Sequence, residues 1–255
     1  MEYFIVFIFG LIIGSFLNVC IYRMPLGKSI VTPRSFCPAC GHTLRWSDNV
    51  PLLSYLVLAG KCRYCKKAIS VIYPLVEVIT AVVGVMLLYH FAISPWFFVY
   101  WFFACMLITV TFIDVKIREI PDVISLPGIF VGLALMTIFR LDGAPSYIRS
   151  FMNSFSGIVL AGGSMFLLGY FGEKIFKKEA LGGGDVKLMA MIGAFLGWKL
   201  GILTFFLAPI LGSIVGVYVK IKHKSETIAY GPYIALAAMI ALVWGEKILD
   251  YVFVY

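Results

Sequence analysis

The sequence predicts an all-α, polytopic membrane protein with about eight transmembrane helices and one cytoplasmic polar loop. Three observations carry this. Of 255 residues, 62% are hydrophobic and only 13% charged, whereas a soluble domain of this length is about half apolar and a quarter charged. The apolar residues gather in runs of about the length that crosses a bilayer. The basic residues lie between those runs.

Eight apolar segments follow in order: 3–22, 73–93, 95–113, 122–139, 151–172, 186–198, 200–219 and 229–252. The first starts after Glu2, has no Lys or Arg before it and shows no small-residue cleavage site, so it is expected to be a retained helix and not a signal peptide. Three regions result: 1–22 as the first transmembrane helix, 23–72 as a polar loop, and 73–255 as the membrane core. Segment 186–198 is short, rising about 20 Å as a helix against a hydrocarbon core of about 30 Å. A short true span is expected there, because a re-entrant segment would move Lys220, Lys222 and Lys224 to the far side of the membrane.

Orientation follows from the basic residues. The long loop holds Arg23, Lys28, Arg34, Arg45, Lys61, Arg63, Lys66 and Lys67. With eight spans it shares its side with Lys116 and Arg118, with Lys174, Lys177, Lys178 and Lys187, and with Lys220, Lys222 and Lys224. Arg140, Arg149, Lys199 and Lys247 remain opposite. The positive-inside tendency places the loop in the cytoplasm and both termini outside. The net charge of +8 is thus explained by topology, with the lipid bilayer and not nucleic acid as the partner.

Of six cysteines, Cys20 and Cys105 sit inside apolar runs and read as core residues. The others form Cys37-Pro38-Ala39-Cys40 and Cys62-Arg63-Tyr64-Cys65, with 21 residues between the pairs. Each pair offers two thiolates to one tetrahedral ion, and four sulfur ligands select zinc. The alternatives are two disulfides or redox-active pairs; a cytoplasmic loop disfavours structural disulfides. His42 is either a substitute ligand or a solvated loop histidine.

Carboxylates at membrane spans need a reason. Asp114 directly follows the apolar run ending at Ile113, and Asp185 follows Gly182-Gly183-Gly184. Both fall at cytoplasmic ends of spans, so they can meet in one layer of the membrane. Two carboxylates held close do not both ionise easily; one acts as base towards a water while the other donates to a carbonyl. That chemistry hydrolyses peptides without a metal or a nucleophilic side chain. Gly182 and Gly184 give the chain before Asp185 room for an extended substrate backbone. Plainer readings stand beside this one: Asp114 as an interfacial carboxylate paired with Lys116 or Arg118, and Asp185 as a helix cap. Asp122 competes for the first catalytic role, though it also reads as the N-cap of the fourth segment. Neither His-Glu-x-x-His nor a Walker-type phosphate loop occurs.

In these motifs the sequence resembles the type IV prepilin peptidases, a family of bifunctional leader peptidases and N-methyltransferases. The likeness runs from Gly14-Ser15-Phe16-Leu17-Asn18 through both cysteine pairs, Asn49-Val50-Pro51-Leu52-Leu53 and Tyr73-Pro74-Leu75-Val76-Glu77, to Asp114 and Gly182-Gly183-Gly184-Asp185. The resemblance implies Asp114 and Asp185 as catalytic residues of an aspartic endopeptidase. It implies prepilins or pseudopilins as substrates, cleaved after a glycine at the cytoplasmic face of the inner membrane, in pilus, secretion or DNA-uptake systems. It also implies methylation of the new N-terminus with S-adenosylmethionine as donor. The donor site is unassigned; Gly14, Gly60 and Glu77 are candidates by position. The alternatives are a peptidase without methyltransferase activity and a transporter using the two aspartates as an ion site.

Overall fold

The computed structural model describes residues 1–177, 181–223 and 229–254; for residues 176, 215–223, 253 and 254 only the backbone is described. Lys178, Lys220, Lys222 and Lys224, which enter the charge count above, therefore lie outside the described side chains. The helices are α1 (Glu2–Arg23), α2 (Leu53–Val57), α3 (Ile72–Phe91), α4 (Pro95–Ile117), α5 (Asp122–Phe139), α6 (Tyr147–Gly157), α7 (Gly163–Phe176), α8 (Gly183–His223) and α9 (Gly231–Val254). Among the described residues the only β structure is two isolated bridges in the polar loop. Seven helical stretches are long and apolar enough to cross a membrane. Large apolar side chains such as Phe4, Ile12 and Phe130 are exposed, as a lipid-facing surface requires. The chain is a multi-pass membrane protein, and its contacts divide it into two compact units, Met1–Thr109 and Val110–Tyr255.

The first unit is built on the packing of α1 against α3. Gly10 lies against the backbone of Ala81, and a Cβ on Gly14 would stand 2.6 Å from Glu77 Cα. Without a hydrophobic force between helices in lipid, such small residues let dispersion contacts form between backbones. Asn18, buried on α1, donates from Nδ2 to the Tyr73 carbonyl at 2.9 Å. That bond satisfies an amide that is costly to bury alone.

The second unit is organised around α8. Gly197 interrupts it with φ 73° and ψ −180°, in the left-handed half of backbone space that suits glycine. Residues eight apart in a straight helix stand about 12 Å apart. Yet a Cβ on Gly201 would lie 3.4 Å from Gly193 Cα. The chain therefore doubles back at Gly197, and the two expected segments 186–198 and 200–219 are the arms of one helical hairpin.

The first arm is the buried centre of the unit. Leu188, Met189, Met191, Ile192 and Phe195 are all fully buried. A helix apolar on every side belongs inside protein, which explains how so short a segment serves: its neighbours, not lipid, surround it. Gly193 meets Gly157 backbone to backbone, and Gly162 and Gly201 face Ala190 and Ala161. Opposite Gly193, residues Ile158–Gly162 form a π-helical turn between α6 and α7, an irregularity common where helices carry a site.

Gly193→Val should lower the stability of the detergent-solubilised protein by about 1–3 kcal/mol or more, because no space exists beside Gly157. Gly163→Ala, where nothing lies within 4 Å, should leave it unchanged or raise it by up to about 1 kcal/mol. Thermal unfolding followed by circular dichroism separates the two; equal effects would contradict the packing described.

Candidate active site and metal centre

Asp114 occupies the last turn of α4, which ends where Arg118, at φ 59°, donates its N–H to the Asp114 carbonyl at 2.7 Å. The side chain is 5% exposed. Its Oδ2 accepts the N–H of Gly231, the first residue of α9, at 2.8 Å. Helix N-termini leave such amides unpaired and carry partial positive charge, so a carboxylate there is both bonded and favoured electrostatically. A Cβ at residue 231 would lie 2.7 Å from the same oxygen, so the contact demands glycine. The sequence reading missed Gly231; its signal is Gly231-Pro232 at the head of an apolar run, a helix-start pattern.

Asp185 stands in the first turn of α8. Its N–H donates to the Gly182 carbonyl at 3.0 Å, and a Cβ on Gly182 would come to 3.3 Å from its Oδ2. Gly184 lets this turn press against Ile120, with 2.9 Å between the Cβ positions. The structure brings Asp185 within range of the charge on Asp114, although 71 residues separate them in sequence. Tyr230, also missed in the sequence, lies beside this pair. Burial, together with the charge of Asp185, pushes its phenol up to about 12, so it remains a hydrogen-bond donor at neutral pH.

Asp122 is arranged differently. Both its oxygens accept from Lys187 Nζ at 2.7 Å, and 55% of its side chain is exposed. It is the first residue of α5 and not its cap, which is Pro121. A half-exposed carboxylate neutralised by lysine explains itself as surface electrostatics.

In the other unit the four cysteines converge. The Sγ atoms of Cys37, Cys40, Cys62 and Cys65 all lie within 4.8 Å of one another, and Cys37 and Cys65 are 3.9 Å apart. Thiolates at tetrahedral corners about 2.3 Å from zinc stand about 3.8 Å apart. Disulfides are absent among the six cysteines.

Local hydrogen bonding builds this cluster from two turns of the same design. Cys37 donates its N–H to the His42 carbonyl and accepts from Gly41; Cys62 donates to Lys67 and accepts from Lys66. The bridges Phe36–Thr43 and Lys61–Ala68 close the turns. Gly41 and Lys66 hold equivalent left-handed positions, at φ 71° and 60°. Cys62 is pulled down to about 7 by the N–H groups of Cys65 and Tyr64, which favour its thiolate. His42 lies outside the sulfur cluster and stacks on Tyr64 with ring centroids 3.6 Å apart.

Comparison with known proteins agrees with this division. Residues 8–91 match the family model described as bacterial peptidase A24 N-terminal domain, and residues 101–217 match the type IV leader peptidase family. A relative named prepilin leader peptidase/N-methyltransferase from Myxococcus xanthus is 41% identical over 83% of this chain, which spans 61% of that protein. A relative of the same name from Pseudomonas aeruginosa is 35% identical over 94% of this chain and 89% of its own length. One from Legionella pneumophila is 30% identical over 98% and 93%. No solved structure matches. Relatives aligned almost end to end place this chain in the type IV prepilin leader peptidase/N-methyltransferase family.

Proposed function

We propose that this chain is an intramembrane aspartic endopeptidase that cleaves prepilin-type leaders after glycine at the cytoplasmic face and then methylates the new N-terminus. The observation that carries the peptidase half is the pairing of Asp114 and Asp185 at helix ends, one fixed by the Gly231 amide and both within reach of each other's charge. One carboxylate takes a proton from a water held between them, and the other donates to the scissile carbonyl oxygen. The developing tetrahedral oxyanion is thereby neutralised. Gly182, exposed beside the Asp185 carboxylate, leaves that edge free of a side chain, so an extended substrate strand can lie there, while Gly184 is used for close packing on Ile120. Prepilins and pseudopilins are the substrates on this reading, with S-adenosylmethionine as the methyl donor.

Zinc fits the four cysteines by donor type and spacing. When bound, it supplies folding energy to a loop with little apolar core. Cys37, Cys40, Cys62 and Cys65 are its ligands, and the paired turns that present them position the rest of loop 23–72.

The loop and both aspartates face the cytoplasm, and both termini lie outside, as the distribution of basic residues directs. Reporter fusions at each terminus should be active only if the reporter is of the kind that needs export; activity of a cytoplasmic reporter there would invert this topology.

With purified protein in detergent and a prepilin, product mass should show leader loss and one added methyl group. Asp114→Asn and Asp185→Asn should each slow cleavage by more than about a hundredfold, the scale of lost acid–base catalysis. Asp122→Asn should stay within about threefold of wild type, since a surface ion pair contributes little. Gly231→Ala should reduce cleavage through displacement of Asp114 while leaving metal content intact. Normal cleavage by Asp114→Asn would remove the dyad.

Metal analysis of the same preparation should return one zinc per chain. Cys62→Ser should lose most of it and make the 23–72 loop sensitive to protease. Four thiols oxidised in pairs, without metal, would refute the zinc assignment.

A further inference from the structure

The short helix α2 presents two different faces. At about 100° per residue, Ser54, Tyr55 and the C-capping Leu58 share one side, and all three line the cavity that the polar loop encloses with α1 and α3. Leu53, Leu56 and Val57 share the other side. They lie outside that lining, and each is more than half exposed. The 3₁₀ turn Trp46–Asn49 packs against α2. Its Asp48 and Asn49 line the cavity, while Trp46 is 80% exposed. Four large apolar side chains therefore stand in the open on two adjoining elements. An apolar surface of this kind marks a contact with a membrane or with another protein.

The place of α2 in the fold decides between the two. Leu52, immediately before α2, donates its N–H to Glu77 Oε2 at 2.8 Å. Glu77 lies five residues after the start of the apolar span Ile72–Phe91, about 8 Å along the helix axis. The head of α2 is thus held beside a membrane helix, at the level where the span enters the headgroup region. Val71, Ile72 and Leu75 at this end of the span are exposed as well, so lipid surrounds α3 at the same level.

Charge points the same way. Residues 23–72 hold eight Lys and Arg and one acid, Asp48, which Arg63 already neutralises at 2.8 Å. Arg45 directly precedes Trp46, and Lys61 follows α2 with its N–H on the Leu58 carbonyl at 3.1 Å. Both are exposed, and neither has an ion-pair partner among the described residues. Tryptophan settles at the membrane–water interface, and long basic side chains lay their stems on apolar surface while their heads reach phosphate. An apolar face joined to tryptophan and flanked by cations has the composition of an interfacial anchor.

We propose that Trp46, Leu53, Leu56 and Val57 insert into the leaflet that borders the polar loop, and that Arg45 and Lys61 meet the phosphates of anionic phospholipids there. The bilayer then supports the loop from outside, as the cysteine turns order it from within. Neither the aspartate pair nor the metal ligands take part, so the anchor is testable apart from both.

The full-length protein reconstituted in nanodiscs provides the test. The emission of Trp46 is read as the difference between wild type and Trp46→Phe. Phospholipids brominated high on their acyl chains should quench that difference, and acrylamide in the water should quench it weakly. In a mixed bilayer, bromines carried on phosphatidylglycerol should quench more than the same bromines on phosphatidylcholine. Arg45→Gln combined with Lys61→Gln should remove this preference, to which each cation contributes up to about fivefold. All these side chains are exposed, so the variants should keep wild-type circular dichroism. Trp46 emission quenched by acrylamide and untouched by brominated lipid would overturn the anchor. Equal quenching from the two headgroups would overturn the choice of anionic lipid. A readout without quenching comes from p-benzoylphenylalanine placed at Val57 and irradiated in cells. Its adduct should carry the mass of a phospholipid; an adduct with a polypeptide instead would assign this face to a protein partner and overturn the proposal.

Discussion

Gly157 and Gly193 meet without side chains between them, and much of the second unit depends on that contact. It allows the first arm of α8 to sink among its neighbours until Leu188, Met189, Met191, Ile192 and Phe195 are fully buried. In lipid, exclusion of water does not drive helices together, so shape and close backbone approach must do it. A short arm, shielded by protein, need not match the bilayer thickness. Its first turn carries Asp185 within range of the charge on Asp114 in the last turn of α4. The π-helical turn beside Gly157 is the local adjustment that keeps the crossing intact.

Once placed, the two carboxylates are treated unequally. Asp114 is buried and accepts a helix N-terminal amide from Gly231. Asp185 is more open, at the head of α8, behind three glycines. The fixed amide and the helix dipoles stabilise negative charge without mobile counterions. Tyr230 supplies a phenol that stays protonated, since burial and Asp185 push it up to about 12. Asp122 illustrates the contrast: with Lys187 bonded to both oxygens it has neither a free lone-pair edge nor a dry setting.

Local chemistry was legible in the sequence and tertiary detail was not. Apolar run length located the spans because a bilayer imposes it, and Cys-x-x-Cys spacing located the sulfur cluster because two ligands per turn are a local property. The hairpin at Gly197 was visible only as a short segment, since a glycine inside an apolar run looks the same whether the helix continues or folds back. Gly231 and Tyr230 were missed because their roles arise from contact with residues far away in sequence. The cysteine turns also hid a likeness: beyond the cysteines their sequences differ, yet their hydrogen bonds repeat at an offset of 25 residues, with Gly41 and Lys66 at the same left-handed position.

That repeated turn gives order to a loop with few buried apolar residues, which with Glu77 lines a cavity of about 960 Å³. Cys37 and Cys62 are buried while Cys40 and Cys65 are exposed, so each turn presents one sulfur inwards and one outwards around a common centre. The Asp48–Arg63 pair ties the chain between the two turns to the second of them. Bonding from Leu52 to Glu77 then joins the same chain to α3. Leu52 makes that bond at φ 59° and ψ −48°, a conformation strained for a branched side chain, in a segment that runs between α3 and the sulfur cluster. With the proposed zinc in that cluster, metal binding and the shape of the Glu77 cavity become one folding equilibrium: loss of the metal would release the loop end of the strained segment and let Leu52 relax away from Glu77.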